Sequence, residues 1–368
     1  MKSFVFHQPT KVIFGIGTRN QLKDMIPDHI KRIGIVTDKT LIENMPLMKG
    51  VIKQVESSFE VSIFDDIEEN PSFETVDKAA RYFESKACEW IIGIGGGSSM
   101  DAAKGISICA NGKEPIRTYV EGTKPVKTAL PIICIPTTSG TGSEVTPFAV
   151  FSDKMNRTKC GFAHKDIFPF AAIIDPELSY SMPIKIIKSS GLDVLSHALE
   201  AYLSEMSFPH NDMYALEAIQ LVFKNLKRAS EKQPQPMQCM SYASMLAGVA
   251  ITHASTILPH IMGYPLTVFH SISHGLASFL TLPAFLKYLQ EQGIAGPKLG
   301  ALGKAIGGLE RLEELASELE ISLKLKSYGV LETQLELFAE QTIHKGDIQI
   351  TPGNISKSDI IQIYQDSL

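Results

Sequence analysis

Short apolar runs recur between amphipathic stretches in the first half of the chain, at residues 11–15, 32–38, 61–64, 90–95, 131–136 and 171–175. Each has the length of a buried strand and is bounded by glycine, proline or polar residues, so six strands are predicted. Between them, residues 20–26, 72–85 and 98–109 carry helical spacing. Strands alternating with helices predict a parallel sheet covered by helices. After Asp175 and Pro176 the strand signals stop, and the pattern is mainly helical to the C-terminus. The chain therefore divides into an expected α/β domain, residues 1–178, and an all-helical domain, residues 179–368.

Within the helical half, residues 233–286 contain no Lys, Arg, Asp or Glu, yet they carry His253, His260, His270 and His274. Such a run is expected to be deeply buried, and buried imidazoles need partners. A membrane span needs about 20 consecutive apolar residues, whereas His253, Pro259, His260, Gly263 and Pro265 interrupt this run. It reads instead as a buried core helix ending near Gly263, followed by a loop through His274. Upstream, Asp193 and His197 stand at i and i+4 on a predicted helix, which places both side chains on one face. One carboxylate with three imidazoles, from Asp193, His197, His260 and His274, suits iron(II) or zinc and leaves room for a substrate oxygen. Taken singly, each has an ordinary structural reading, as a hydrogen-bonded core histidine or a helix-capping aspartate. His253 reads as a core residue, and His7, His29, His164, His210 and His344 as surface or packing residues.

The α/β half offers a second chemistry. Residues 93–101, Gly-Ile-Gly-Gly-Gly-Ser-Ser-Met-Asp, follow a strand and open a helix. Glycines let a backbone approach a phosphate, and a helix N-terminus offers N–H groups and a favourable dipole. The structural alternative is a capping box, with Ser98 as N-cap and Asp101 as its partner. Asp38, at the end of an earlier strand, can accept a ribose 2'-hydroxyl and repel a 2'-phosphate. It precedes the glycines, so the usual dinucleotide fingerprint does not match. Residues 136–146, dense in small hydroxyl side chains, make a second wall for a nucleotide.

Composition narrows the classes. The chain is 44% hydrophobic and 20% charged with a formal charge of -5, and no basic stripe appears, which excludes a nucleic-acid-binding role. The N-terminal stretch lacks the apolar core and cleavage site of a signal peptide, so a cytoplasmic protein is expected. Cys88, Cys109, Cys134, Cys160 and Cys239 form no CxxC and read as reduced residues.

Four stretches taken in order, GGGSSMDAAK at residues 95–104, IPTTSGTGSEVTPF at 135–148, GLDVLSHALEAY at 191–202 and HIMGYPLTVFHSISHG at 260–275, resemble the iron-containing (group III) alcohol dehydrogenases. The resemblance runs from about Thr10 to the C-terminus, and the GYPLT pattern is similar to the branch containing propanediol-type dehydrogenases. It implies a Rossmann-like dinucleotide-binding N-terminal domain, an all-α metal-binding C-terminal domain, and a cleft between them holding NAD(P) and one metal. The implied metal ligands are Asp193, His197, His260 and His274. The implied cofactor contacts are Asp38, Gly97, Ser98, Thr137, Thr138, Thr146 and Lys159, and the implied assembly is a homodimer. Two positions depart from the family pattern. Tyr264 stands where many members have a proton-transferring histidine, and Ser99 where many have proline.

The implied reaction is reversible hydride transfer between NAD(H) and a small primary alcohol or aldehyde, with Fe2+ as the expected ion. Asp38 favours NAD over NADP. His270 and Tyr264 are the candidates for moving the proton, His270 being preferred. Phe148, Phe162, Tyr264 and Phe269 suggest a small, partly apolar substrate. The alternatives are a zinc-dependent polyol dehydrogenase of the same fold and a catalytically silent nucleotide-binding protein.

Overall fold

The computed structural model describes residues 3–156 and 158–368. Two compact units emerge: His7–Met182 forms one, and Pro183–Leu368 with the described residues up to Phe6 forms the other. The division falls a few residues beyond the end of the strand signals because Pro176–Ser179 makes a 3-10 turn whose Leu178 still packs in the core of the sheet.

The first unit is built on strands β1 (Lys11–Phe14), β2 (Arg32–Val36), β3 (Glu60–Phe64), β4 (Trp90–Gly95), β5 (Ile132–Pro136), the hairpin β6 (Phe148–Asp153) and β7 (Thr158–Ala163), and β8 (Ala171–Ile174). Its helices are α1 (Lys39–Asn44), α2 (Pro46–Glu56), α3 (Phe73–Ser85), α4 (Gly97–Gly112) and α5 (Ile116–Val120). Six strands form a parallel sheet in the order β1-β8-β5-β4-β2-β3. Side chains alternate between two cores. Ile91 and Ile132 join Phe83 of α3 and Ala103 of α4 on one face, whereas Ile92 and Ile133 join Met48 and Val51 of α2 on the other. Period-two alternation on strands buried on both sides explains why their sequences read as nearly continuous apolar runs. The chain order reverses between β2 and β4, and at such a point open α/β sheets bind ligands beyond the carboxyl ends of the strands.

The second unit contains α6 (Ile184–Leu203), α7 (Pro209–Ser230), α8 (Pro234–Ala254), α9 (Leu258–His270), α10 (His274–Leu280), α11 (Leu282–Glu291), α12 (Gly296–Ile306), α13 (Arg311–Glu318), α14 (Leu335–Ile343) and α15 (Lys357–Ser367). Among the described residues no single helix is long and apolar enough to cross a membrane. The uncharged run is bent by 111° between α8 and α9.

Two local expectations are corrected, and one element was not anticipated. Residues 20–26 lie in two 3-10 turns, Thr18–Gln21 and Lys23–Met25, and not in an α-helix. Residues 148–163 form the antiparallel hairpin, whose partly buried strands mix polar with apolar residues and so stand out less than those of the sheet. The helix expected to stop near Gly263 runs through Pro265 to His270, because buried Met262 and Leu266 keep it packed, and only residues 271–273 are loop. Ser271, in a left-handed conformation (φ 54°), ends it.

Candidate functional site

Asp193 and His197 occupy one face of α6, with the His197 Nε2 3.8 Å from Asp193 Oδ1. His260 lies in the first turn of α9, and not at the close of a helix as expected from sequence, and His274 is the first residue of α10, and not part of a loop. Gly275 makes this possible. A Cβ there would come within 2.3 Å of the Ser189 carbonyl oxygen and 2.5 Å of Asp193 Cβ, so only glycine lets α10 meet α6 at this point. The close approach brings one donor atom each from Asp193, His260 and His274 within 4.8 Å of one another. The two Nε2 atoms of His260 and His274 stand 2.9 Å apart, and the His197 ring stacks on that of His260 at 4.9 Å between centroids. Donors about 2.1 Å from a shared ion stand about 3 Å apart or slightly more. A buried and a partly buried imidazole at that spacing, beside a buried carboxylate, fit a divalent ion of the iron or zinc type.

A residue that sequence reasoning passed over completes the cluster. Glu200 is three residues after His197 and seven after Asp193, on the same helix face, and is fully buried. Its Oε2 accepts the backbone N–H groups of Ile257 at 2.7 Å and His260 at 3.2 Å, and its Oε1 lies 3.3 Å from His260 Nδ1. Burial pushes its carboxyl upward, a push that His260 and the two N–H groups oppose. The signal was the i, i+4, i+7 spacing of three ionisable residues in the otherwise uncharged C-terminal part of α6.

The proton-transfer candidates separate. The Tyr264 ring stacks on His274 at 6.0 Å and lies edge-on to His260 at 6.1 Å, and burial pushes its phenol above the ordinary range. His270 is ten residues further along α9, about 15 Å down the helix axis from His260. There its Nε2 lies 3.1 Å from Gln334 Oε1 and its ring packs on Phe338. The length of α9 thus sets His270 at the opposite end of the helix from His260, which favours Tyr264 of the two candidates. His253 bonds the Val249 carbonyl through Nδ1 at 2.8 Å and stacks on Phe6. Of the four aromatic residues read as pocket candidates, Tyr264 borders these donors, whereas Phe269 is half-exposed and packs on Phe338.

In the α/β unit, the ends of β2, β4 and β5 carry most of the residues expected to meet a cofactor. Thr137 donates its N–H to the Gly95 carbonyl at 2.9 Å, and Thr138 lies beside Gly96, whereas Gly97 faces Thr141. Gly95 has φ +151°, and a Cβ on it would lie 2.4 Å from the Ser99 hydroxyl. Gly96 is the N-cap of α4, and no side chain caps that terminus, which suits an anion. The capping box is thus overturned. The Ser98 hydroxyl instead accepts the Asn70 N–H at 3.0 Å, and Asp101 accepts the Ser143 hydroxyl at 2.6 Å and the Val150 N–H at 2.9 Å. Asp38 follows β2 and caps α1 by accepting the Leu41 N–H at 3.0 Å. Lys159, on β7, donates to Asn70 Oδ1 at 2.7 Å, so Asn70 tethers both Ser98 and Lys159.

Beneath this edge lies a buried ionic group. The Lys104 ammonium, fully buried, donates to the Ser143 carbonyl (2.6 Å) and hydroxyl (2.7 Å), the Phe148 carbonyl (2.7 Å) and the Thr146 hydroxyl (3.3 Å). Burial pulls its pKa down while Asp101, 3.9 Å away, opposes the fall. Thr146 is accordingly buried, with its hydroxyl turned toward Lys104. Burial also raises the neighbouring Glu144 to about 7. These contacts fasten α4 to the loop after β5, so the two walls expected to hold a nucleotide move as one piece.

Comparison with known proteins extends this reading. Residues 9–176 match the family described as iron-containing alcohol dehydrogenase, and residues 187–368 match its C-terminal family. An iron-containing alcohol dehydrogenase from Thermotoga maritima, solved by crystallography, is 34% identical with a TM-score of 0.91, over 100% of this chain and 99% of that one. The 1,3-propanediol dehydrogenase of Klebsiella pneumoniae is 31% identical over 355 residues, 91% of each chain. The sulfoacetaldehyde reductase of Bifidobacterium kashiwanohense, crystallised with NAD+, is 29% identical with a TM-score of 0.93, over 100% of this chain and 99% of that one.

Proposed function

Given that the chain belongs to the iron-containing alcohol dehydrogenase family, we propose that Asp193, His197, His260 and His274 hold the iron and that the carboxyl edge of the six-stranded sheet holds the nicotinamide cofactor. The protein is an oxidoreductase that interconverts an alcohol and an aldehyde with NAD(H). When bound, iron supplies a Lewis acid toward the substrate oxygen, and NAD(H) carries the hydride.

The chain's own residues then have distinct tasks. The start of α4, at Gly97 and Ser98, binds the cofactor's pyrophosphate through first-turn N–H groups. Thr137 and Thr138 line the same edge, and Thr146 and Lys159 act from the adjoining loop and hairpin. Asp38 accepts the ribose hydroxyl and selects NAD over NADP. Tyr264, kept protonated through the neutral range by its burial, donates a hydrogen bond to the substrate oxygen and holds the proton there. The substrate is a small primary alcohol or its aldehyde, in keeping with the short compounds after which the Klebsiella and Bifidobacterium relatives are named. Within this reading the protein works as a homodimer in the cytoplasm.

The observation that carries the proposal is the convergence of Asp193, His260 and His274 where three helices meet, with the His197 ring stacked on that of His260. Zinc accepts the same donor set and is the ion of the polyol-dehydrogenase alternative. Metal analysis of the isolated protein, with turnover measured after iron(II) and zinc reconstitution, separates the two.

A further inference from the structure

We propose that Glu200 is the positioning residue of the metal centre: its carboxylate fixes the proton of His260 on Nδ1 and so turns the lone pair of Nε2 toward Asp193 and His274. The proposal rests on the reading of Asp193, His197, His260 and His274 as metal ligands.

Three contacts carry it. Oε2 of Glu200 accepts two backbone N–H groups at the start of α9, from Ile257 and His260, and Oε1 faces His260 Nδ1 at 3.3 Å. Both oxygens are thereby engaged within the protein, and the clustered donor atoms belong to Asp193, His260 and His274 and not to Glu200. Oε2 acts as an acceptor toward both N–H groups, and a carboxyl that also accepts at Oε1 requires His260 Nδ1 to be the donor, which fixes the tautomer. The same group holds the main chain of His260, so the ring and its backbone are anchored by one side chain. A fully buried carboxylate is costly to maintain for a helix cap alone, a task that Ser, Thr or Asn performs without charge. Beside a divalent ion, Glu200 and Asp193 supply two negative charges. A carboxylate behind a metal-ligating imidazole raises the basicity of that ligand and orients its ring.

The decisive variant is Glu200→Gln, which keeps the size and retains an oxygen for the backbone N–H groups. With that oxygen on the helix start, the amide NH2 faces His260 Nδ1 and donates to it, forcing the proton onto Nε2, where the metal should bind. Anaerobic titration with ferrous ion alone, against a competing chelator, should show about 10–100-fold weaker binding in Glu200→Gln. The melting temperature of the metal-free protein should be nearly unchanged, and Glu200→Asp should recover part of the affinity. Equal ferrous affinity in the wild type and Glu200→Gln overturns the proposal. Wild type that binds neither iron(II) nor zinc overturns the underlying ligand assignment instead. Should Glu200→Gln fail to fold, 15N spectra of histidine-labelled, metal-free wild type decide: a protonated His260 Nδ1 is expected, and a protonated Nε2 refutes the assignment.

Discussion

His260 and His274 come from the first turns of two different helices, and their Nε2 atoms stand 2.9 Å apart. The arrangement depends on Gly275, which lets α10 lie against Asp193 on α6. Three helices therefore converge on one point, and the metal chemistry follows from how closely they pack.

Replacing His274 with glutamine removes a donor from that point. Substitutions behind a metal ligand already reduce affinity by about 10–100-fold, so His274→Gln should lose more than that in both ferrous binding and turnover. Equilibrium titration with iron(II) checks it, and near-normal affinity in the variant would remove His274 from the ligand set.

Tyr264→Phe separates proton handling from metal binding. Loss of the phenol should reduce turnover by about 100-fold, the low end of general acid–base contributions, while bound iron stays at the wild-type level. His270→Gln should turn over normally, because its imidazole is engaged by Gln334. The reverse pattern would restore His270 as the relay.

Asp38→Asn tests cofactor choice without disturbing the fold, since asparagine also caps a helix and can replace the bond to the Leu41 N–H. The ratio of kcat/KM for NADPH over NADH should rise about tenfold or more once the negative charge is gone. An unchanged ratio would assign discrimination to another residue.

The buried Glu144 gives a stability prediction with a definite sign. Burial raises its pKa to about 7 in the folded protein, above the unfolded value of about 4.3. Between these values the folded state holds a proton that the unfolded state has released, so Glu144 lowers stability as pH rises through that window, and the penalty is constant above about pH 7. Glu144→Gln has no such titration. Its stability relative to wild type should therefore increase from pH 5 to pH 7, with a limiting slope of about 1.4 kcal/mol per pH unit. Urea denaturation at several pH values checks this, and parallel curves would contradict it.

Much of the fold was legible because buried parallel strands leave continuous apolar runs, and the six predicted strands all lie in the sheet. The hairpin from Phe148 to Ala163 was not legible, since its strands are only partly buried and mix polar with apolar residues. The uncharged run betrayed the site, but Gly263 and Pro265 misled as helix stops because tertiary packing overrides local propensity there. Ser98 and Asp101 had the spacing of a capping box, yet Asn70 and Ser143, distant in sequence, claim them. Glu200 lay in plain view beside His197, but its role depends on Ile257 and His260 meeting it from another helix.

The most direct test of the central claim is NADH oxidation with a panel of short aldehydes, by protein reconstituted anaerobically with iron(II), before and after chelation. Turnover that requires the ion, is abolished by the chelator and returns on re-addition of iron(II) is the predicted result. NADH oxidation at the same rate in metal-stripped protein would contradict it, since hydride transfer would then proceed without the metal centre proposed at Asp193, His197, His260 and His274.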